Sequence, residues 1–115
     1  MLAKSQTYFR YDVALIGDTV FTEFEFDKDC SWILQAKFTS LTGTSGSLDA
    51  FICSKETDCL WTPLSNYGLP YTILTTSETY AIPDDHWGGK KFAFRLIKDG
   101  LTGGIIELWF TYNLR

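Results

Sequence analysis

A chain of 115 residues, 45% of them apolar and 21% charged, reads as one soluble globular domain spanning 1–115. Its net charge of −4 excludes an electropositive nucleic-acid surface, and no apolar run reaches the ~20 residues of a membrane helix. Aromatic residues make up 17% of the chain, which favours sheet over helix because flat, bulky side chains pack well on a pleated surface.

The opening MLAKSQTYFRYD lacks the apolar stretch of a secretory signal, so the chain reads as made in a cytoplasm. Phe9 to Gly17 is apolar enough for a first strand, closed by a Gly17-Asp18 turn. Thr19 to Asp27 alternates cleanly: Val20, Thr22, Phe24 and Phe26 share one face, and Phe21, Glu23 and Glu25 share a face that meets water. Ser31 to Ser40 repeats the pattern, with Trp32, Leu34, Ala36 and Phe38 inward and Gln35 and Lys37 outward. LTGTSG, from Leu41, reads as a loop, and a fourth strand follows with Leu48, Ala50 and Ile52 on one face.

A short strand ends at Pro63, which has no N–H to give to a ladder. The turn residues around Tyr67, two further short strands from Tyr71 to Ile82, and the irregular PDDHWGG follow. Lys90 to Tyr112 then reads as a long hairpin, with Phe92, Phe94 and Leu96 folded against Ile106, Leu108 and Phe110. Its reversal falls in KDGLTGG, where Gly100, Gly103 and Gly104 tolerate positive φ. Placing Phe94 opposite Leu108 also places Arg95 opposite Glu107, an apolar ladder inward and an ion pair outward. Turn signals every eight to twelve residues and the lack of any helical period predict an all-β fold. It is an antiparallel β-sandwich, jelly-roll-like, of about eight short strands.

Little here points to catalysis. His86 is the sole histidine, and its neighbours Asp84 and Asp85 point different ways on an extended segment. The cysteines lack C-x-x-C spacing, no serine sits in a nucleophile elbow, and Gly103-Gly104 lacks the lysine and helix of a phosphate loop. The expectation is therefore no enzyme, no metal and no cofactor. Cys30, Cys53 and Cys59 are an odd set and read as reduced thiols, although Cys53 and Cys59 flank one short loop and whether they pair is left open by the spacing.

The aromatics outside the alternation are more informative. Trp61, Tyr67, Tyr71 and Trp87 fall in or beside loops, where a rigid sandwich carries its binding residues. They either stack on sugar rings, pack against a neighbouring subunit or cap the core. Tyr67 and Trp87, set beside glycine and polar residues, are expected to be partly exposed. Trp109 shares its face with Glu107 and Thr111, and Arg95 is an interface anchor if a partner covers its face.

Gln35-Ala36, the Gly46, Leu48, Ala50, Ile52, Ser54 alternation, Trp61, and the sequence from Phe94-Arg95 through Gly103-Gly104 to Ile106 together resemble a β-sandwich domain of tailed-phage virion proteins. The likeness spans about Ser31 to Tyr112. It implies a non-enzymatic structural role (capsid decoration, head–tail accessory or fibre base) in a virion assembled in the host cytoplasm. The partners it implies are copies of the chain or other virion proteins. The alternative is a carbohydrate-binding module that uses the loop aromatics on a glycan.

Overall fold

The computed structural model describes residues 4–25, 30–53, 60–64, 69–83 and 91–114. Nine strands run in these segments: β1 (Lys4–Asp12), β2 (Thr19–Glu25), β3 (Cys30–Gly43), β4 (Ser45–Cys53), β5 (Thr62–Pro63), β6 (Tyr71–Leu74), β7 (Thr79–Pro83), β8 (Lys91–Ile97) and β9 (Leu101–Leu114). They form two antiparallel sheets. Sheet A has the order β1-β9-β3-β7; sheet B has the order β2-β8-β4, with β5 and β6 following one another along the far edge of β4. Consecutive strands change sheet at every step except β4–β5 and β5–β6, which is the wrapped order of a jelly roll.

The expected alternation holds where it was strongest. Trp32, Leu34, Ala36 and Phe38 of β3 are buried while Ile33, Gln35 and Lys37 are exposed, and β2 turns Val20, Thr22 and Phe24 inward. The inner faces meet as an aromatic stack. Phe24 lies 4.4 Å from Phe110, Trp32 lies 4.3 Å from Phe92, and Phe94 meets Phe9 edge-on at 5.4 Å. Each buried phenylalanine removes enough apolar surface from water to contribute ~1.5–3 kcal/mol.

Five expectations are corrected. The first strand starts at Lys4, not Phe9, and ends at Asp12; Val13 to Ile16 turn. Its polar opening, with Thr7, Phe9 and Tyr11 facing partly inward between exposed Gln6, Tyr8 and Arg10, conceals the period. LTGTSG is not a loop, because β3 continues to Gly43 and β4 resumes at Ser45.

The third correction concerns the hairpin. β8 and β9 do not pair: β8 lies between β2 and β4 in sheet B, and β9 lies between β1 and β3 in sheet A. Phe92, Phe94, Leu96, Ile106, Leu108 and Phe110 are all buried as expected, but they face each other across the interior instead of along a ladder. Arg95 and Glu107 consequently stand on opposite outer faces of the sandwich and are not partners. Alternation cannot tell these arrangements apart, since either one buries the same residues.

The corner between β8 and β9 runs beside that between β3 and β4. Thr44 N donates to the Gly100 carbonyl and Gly100 N to the Ser45 carbonyl, both at 2.8 Å. Gly43 sits at φ +100°, and a β-carbon there would strike the Gly100 carbonyl, so this crossing requires glycine. Gly103 and Gly104 belong to β9 itself, opposite a register shift in β3 between Thr39 and Thr42. They make room for a bulge and do not make the turn.

Cys53 is buried and disulfide-bonded, which overturns the reading of three reduced thiols. Its partner lies outside the described side chains.

Candidate functional site

The sequence-predicted residues do not gather at one place. Tyr67 and Trp87 lie outside the described residues, as do His86, Asp84, Asp85 and Cys59. The other four divide among three locations.

Tyr71 is a core cap. Its ring stacks on Tyr80 at 4.1 Å with 14° between planes and lies 6.0 Å from Phe38, and its hydroxyl hydrogen-bonds Ser77 Oγ at 3.0 Å. These contacts close the sandwich where β6 crosses towards β7, and they leave the ring little to offer a partner.

Trp61 and Arg95 meet on the outer face of sheet B. Register sets Phe21, Arg95 and Asp49 in one row and Glu23, Ala93, Phe51 and Pro63 in the next. Trp61 packs edge-on against Phe21 at 5.8 Å, Phe21 lies 5.8 Å from Phe51, and the Arg95 guanidinium sits 5.0 Å from the centre of the Phe51 ring. Under this cover Ala93 and Phe51 are buried although they point away from the core. Asp49 is buried too; it pairs with Arg95 at 3.4 Å and accepts the Ala50 N–H at 3.0 Å. Beside the patch, Leu60 is 71% and Phe21 41% exposed. Glu23, Glu25 and Lys91 line a cleft of about 250 Å³ next to Trp61.

Trp109 lies on the opposite face, outside sheet A. Its row reads Tyr8, Trp109, Gln35, Ala81 across four strands, and the next row reads Arg10, Glu107, Lys37, Thr79. Tyr8 leans on Trp109 with ring centres 5.4 Å apart, and its hydroxyl donates to Glu107 Oε2 at 2.7 Å. That hydrogen bond to a carboxylate, more than the loss of solvent, raises the Tyr8 pKa above its ordinary value. A groove of about 760 Å³ runs past Trp109, lined by Gln6, Gln35, Lys37, Thr79 and Ala81 and floored by the backbone at Ala36 and Tyr80.

The sequence reading missed Tyr8, Gln6 and Ala81. The signal was present in the Gln6, Tyr8, Arg10 alternation, one turn of pleat upstream of where the first strand was placed. Among the described residues no three His, Cys, Asp or Glu side chains gather to hold a metal.

No protein-family model and no curated protein matches the chain. Solved structures superpose on it to different degrees. The SPBc2 prophage-derived protein YomS superposes with a TM-score of 0.50 at 14% identity, over 97% of this chain and 96% of that one. The Drosophila NLP core, described for pentamer formation and histone binding, gives a TM-score of 0.47 at 14% identity over 92% and 97%. A Bacillus endospore appendage protein of disulfide-linked pili gives 0.44 at 11% identity over 99% and 89%. At 14% identity the likeness to YomS concerns the fold alone.

Proposed function

We propose that the protein is a non-enzymatic structural component of a phage virion, acting by self-association or by attachment to a capsid or tail neighbour. The observation that carries this reading is the apolar outer face of sheet B. A solvated sheet face normally alternates to polar residues, yet this one presents Phe21, Trp61 and Pro63 over buried Phe51, with exposed Leu60 next to Trp61 in the chain and Glu23, Glu25, Lys91 and Arg95 around them. An exposed apolar patch with aromatics, an arginine and a polar rim has the composition of an interface core. At two of the sheet edges strand-to-strand pairing is opposed by charge, since β2 carries Glu23 and Glu25 and β1 carries Arg10. The likeness to phage virion domains and the fold shared with a prophage-derived protein support a phage setting.

Sedimentation velocity and incorporation into particles test this. Wild-type protein is expected to form a defined oligomer or to attach to particles, and Phe21→Glu is expected to abolish either behaviour while keeping the melting temperature within a few degrees. A folded Phe21→Glu variant that assembles and attaches like the wild type overturns the reading.

A further inference from the structure

The groove on sheet A offers a ligand something different from the patch on sheet B. Its aromatic element is held in advance: Tyr8 supports the Trp109 ring from one side, and Glu107 fixes Tyr8. Beside the indole stand Gln35, Lys37 and Thr79, and among the described residues neither these side chains nor Trp109 Nε1 has a hydrogen-bond partner. Gln6 borders the groove with its amide nitrogen donating to Thr111 Oγ1 at 3.0 Å. Ala81, opposite Gln35, contributes only a methyl group and leaves the β7 side open. Among the described residues no carboxylate lines the groove.

An apolar face of a second protein would cover Gln35, Lys37 and Thr79 without satisfying them, a cost of desolvation with no return. A pyranose ring suits the same surface. Its C–H face packs on an indole, while hydroxyl groups at its rim both donate and accept, matching amide, hydroxyl and indole N–H groups. The groove volume, about 760 Å³, falls in the range of roughly 300–1,000 Å³ found for small-ligand sites. We propose that this groove binds a pyranose-containing glycan. Trp109 is the stacking platform, Gln35 and Gln6 are hydrogen-bonding residues, and Lys37 confers a preference for an acidic sugar.

The site is on the opposite face from the proposed interface and stands independently of it. The test is a glycan array carrying neutral and uronate-bearing oligosaccharides, followed by calorimetry with the best neutral and best acidic binder. Trp109→Ala is expected to weaken both by roughly tenfold or more, and Trp109→Phe, which keeps a ring, to weaken them less. Lys37→Gln is expected to lose affinity for the acidic probe alone, and Phe21→Glu to bind like the wild type. An array without signal overturns the proposal. So does a folded Trp109 variant that binds unchanged, and a Trp109 variant that alters the oligomer and not glycan binding assigns the groove to a second protein copy.

Discussion

The two outer faces of this sandwich obey the same strand alternation and reach opposite results. On sheet A the outward positions include Gln6, Arg10, Gln35, Lys37, Thr79 and Glu107 beside the apolar Ile33 and Ala81, and the aromatic pair Tyr8 and Trp109 stands among them with the Tyr8 hydroxyl on Glu107. On sheet B the outward positions mix Phe21, Phe51 and Ala93 with Glu23, Glu25, Lys91 and Arg95; Trp61 packs on Phe21, Phe51 and Ala93 are buried, and the buried Asp49 is held by Arg95. A surface that keeps solvent-facing hydrogen-bonding groups around a fixed ring is suited to a hydroxylated ligand; one that half-buries its own aromatics is suited to being covered.

The contrast weakens if the sheet B cluster is simply a second core. Phe94 is fully buried between the sheets against Phe9 and Phe24, and Phe94→Ala is expected to cost roughly 3–5 kcal/mol in denaturant unfolding. Phe51 packs on the outer face under partly exposed Phe21, so Phe51→Ala is expected to cost less, about 1–3 kcal/mol. Equal losses would make the outer cluster a structural layer and remove the argument for a partner there.

The corner that carries the chain from one face to the other is expected to be nearly as sensitive. Gly43→Ala combines a positive φ with a backbone collision at Gly100, and a loss of about 2–4 kcal/mol is expected by the same measurement. A loss under ~1 kcal/mol would mean that the two crossings are not locked together.

Those two glycine regions show how much of the fold was legible. The strands around Trp32, Phe24 and Phe94 were readable because period-two alternation and aromatic bulk agree there. What alternation leaves open is which sheet a strand joins: KDGLTGG, residues 98–104, fits a hairpin turn as well as a crossing, and the chain crosses between layers at 98–100. Gly104 takes the positive φ expected of it and Gly103 does not; the bulge they face, at Ser40 and Leu41, depends on a strand some sixty residues away. The site divides in the same manner. Trp61, Arg95 and Trp109 were named from sequence, but Phe21 and Tyr8 were not, because neither is unusual until the register sets it beside a tryptophan.

The ion pairs sharpen the comparison further. Asp49→Asn is expected to cost about 1–2 kcal/mol, since the carboxylate is buried while 39% of its partner's side chain remains in solvent and is partly screened. A double-mutant cycle between Asp49 and Arg95 is expected to show coupling. The cycle between Arg95 and Glu107 is expected to show none, because register places those residues on opposite faces. Coupling in the second cycle would restore the hairpin and dissolve the two-face description.

The smallest effect separates inside from outside on a single strand. Tyr8 and Tyr11 of β1 both have pKa values raised above the ordinary ~10, for different reasons: Tyr8 chiefly through its hydrogen bond to Glu107, and Tyr11 chiefly through burial, with a hydrogen bond to Thr22 acting the other way. A raised folded-state pKa means that the folded protein holds the phenolic proton more tightly than the unfolded chain does. The associated stability is therefore complete below about pH 10 and is lost as pH rises through the folded value. Melting temperature is expected to fall over that alkaline window. Tyr11→Phe should flatten the fall, because a buried ring without a hydroxyl has no proton to lose. Tyr8→Phe should leave most of it, because the Tyr8 ring faces solvent and its phenolate is readily hydrated, while it removes one late-titrating tyrosine from the ultraviolet titration. If Tyr8→Phe flattens the melting profile and Tyr11→Phe does not, the alkaline transition belongs to the outer face of sheet A, and the hydrogen bond to Glu107 matters to the fold as well as to the posture of Trp109.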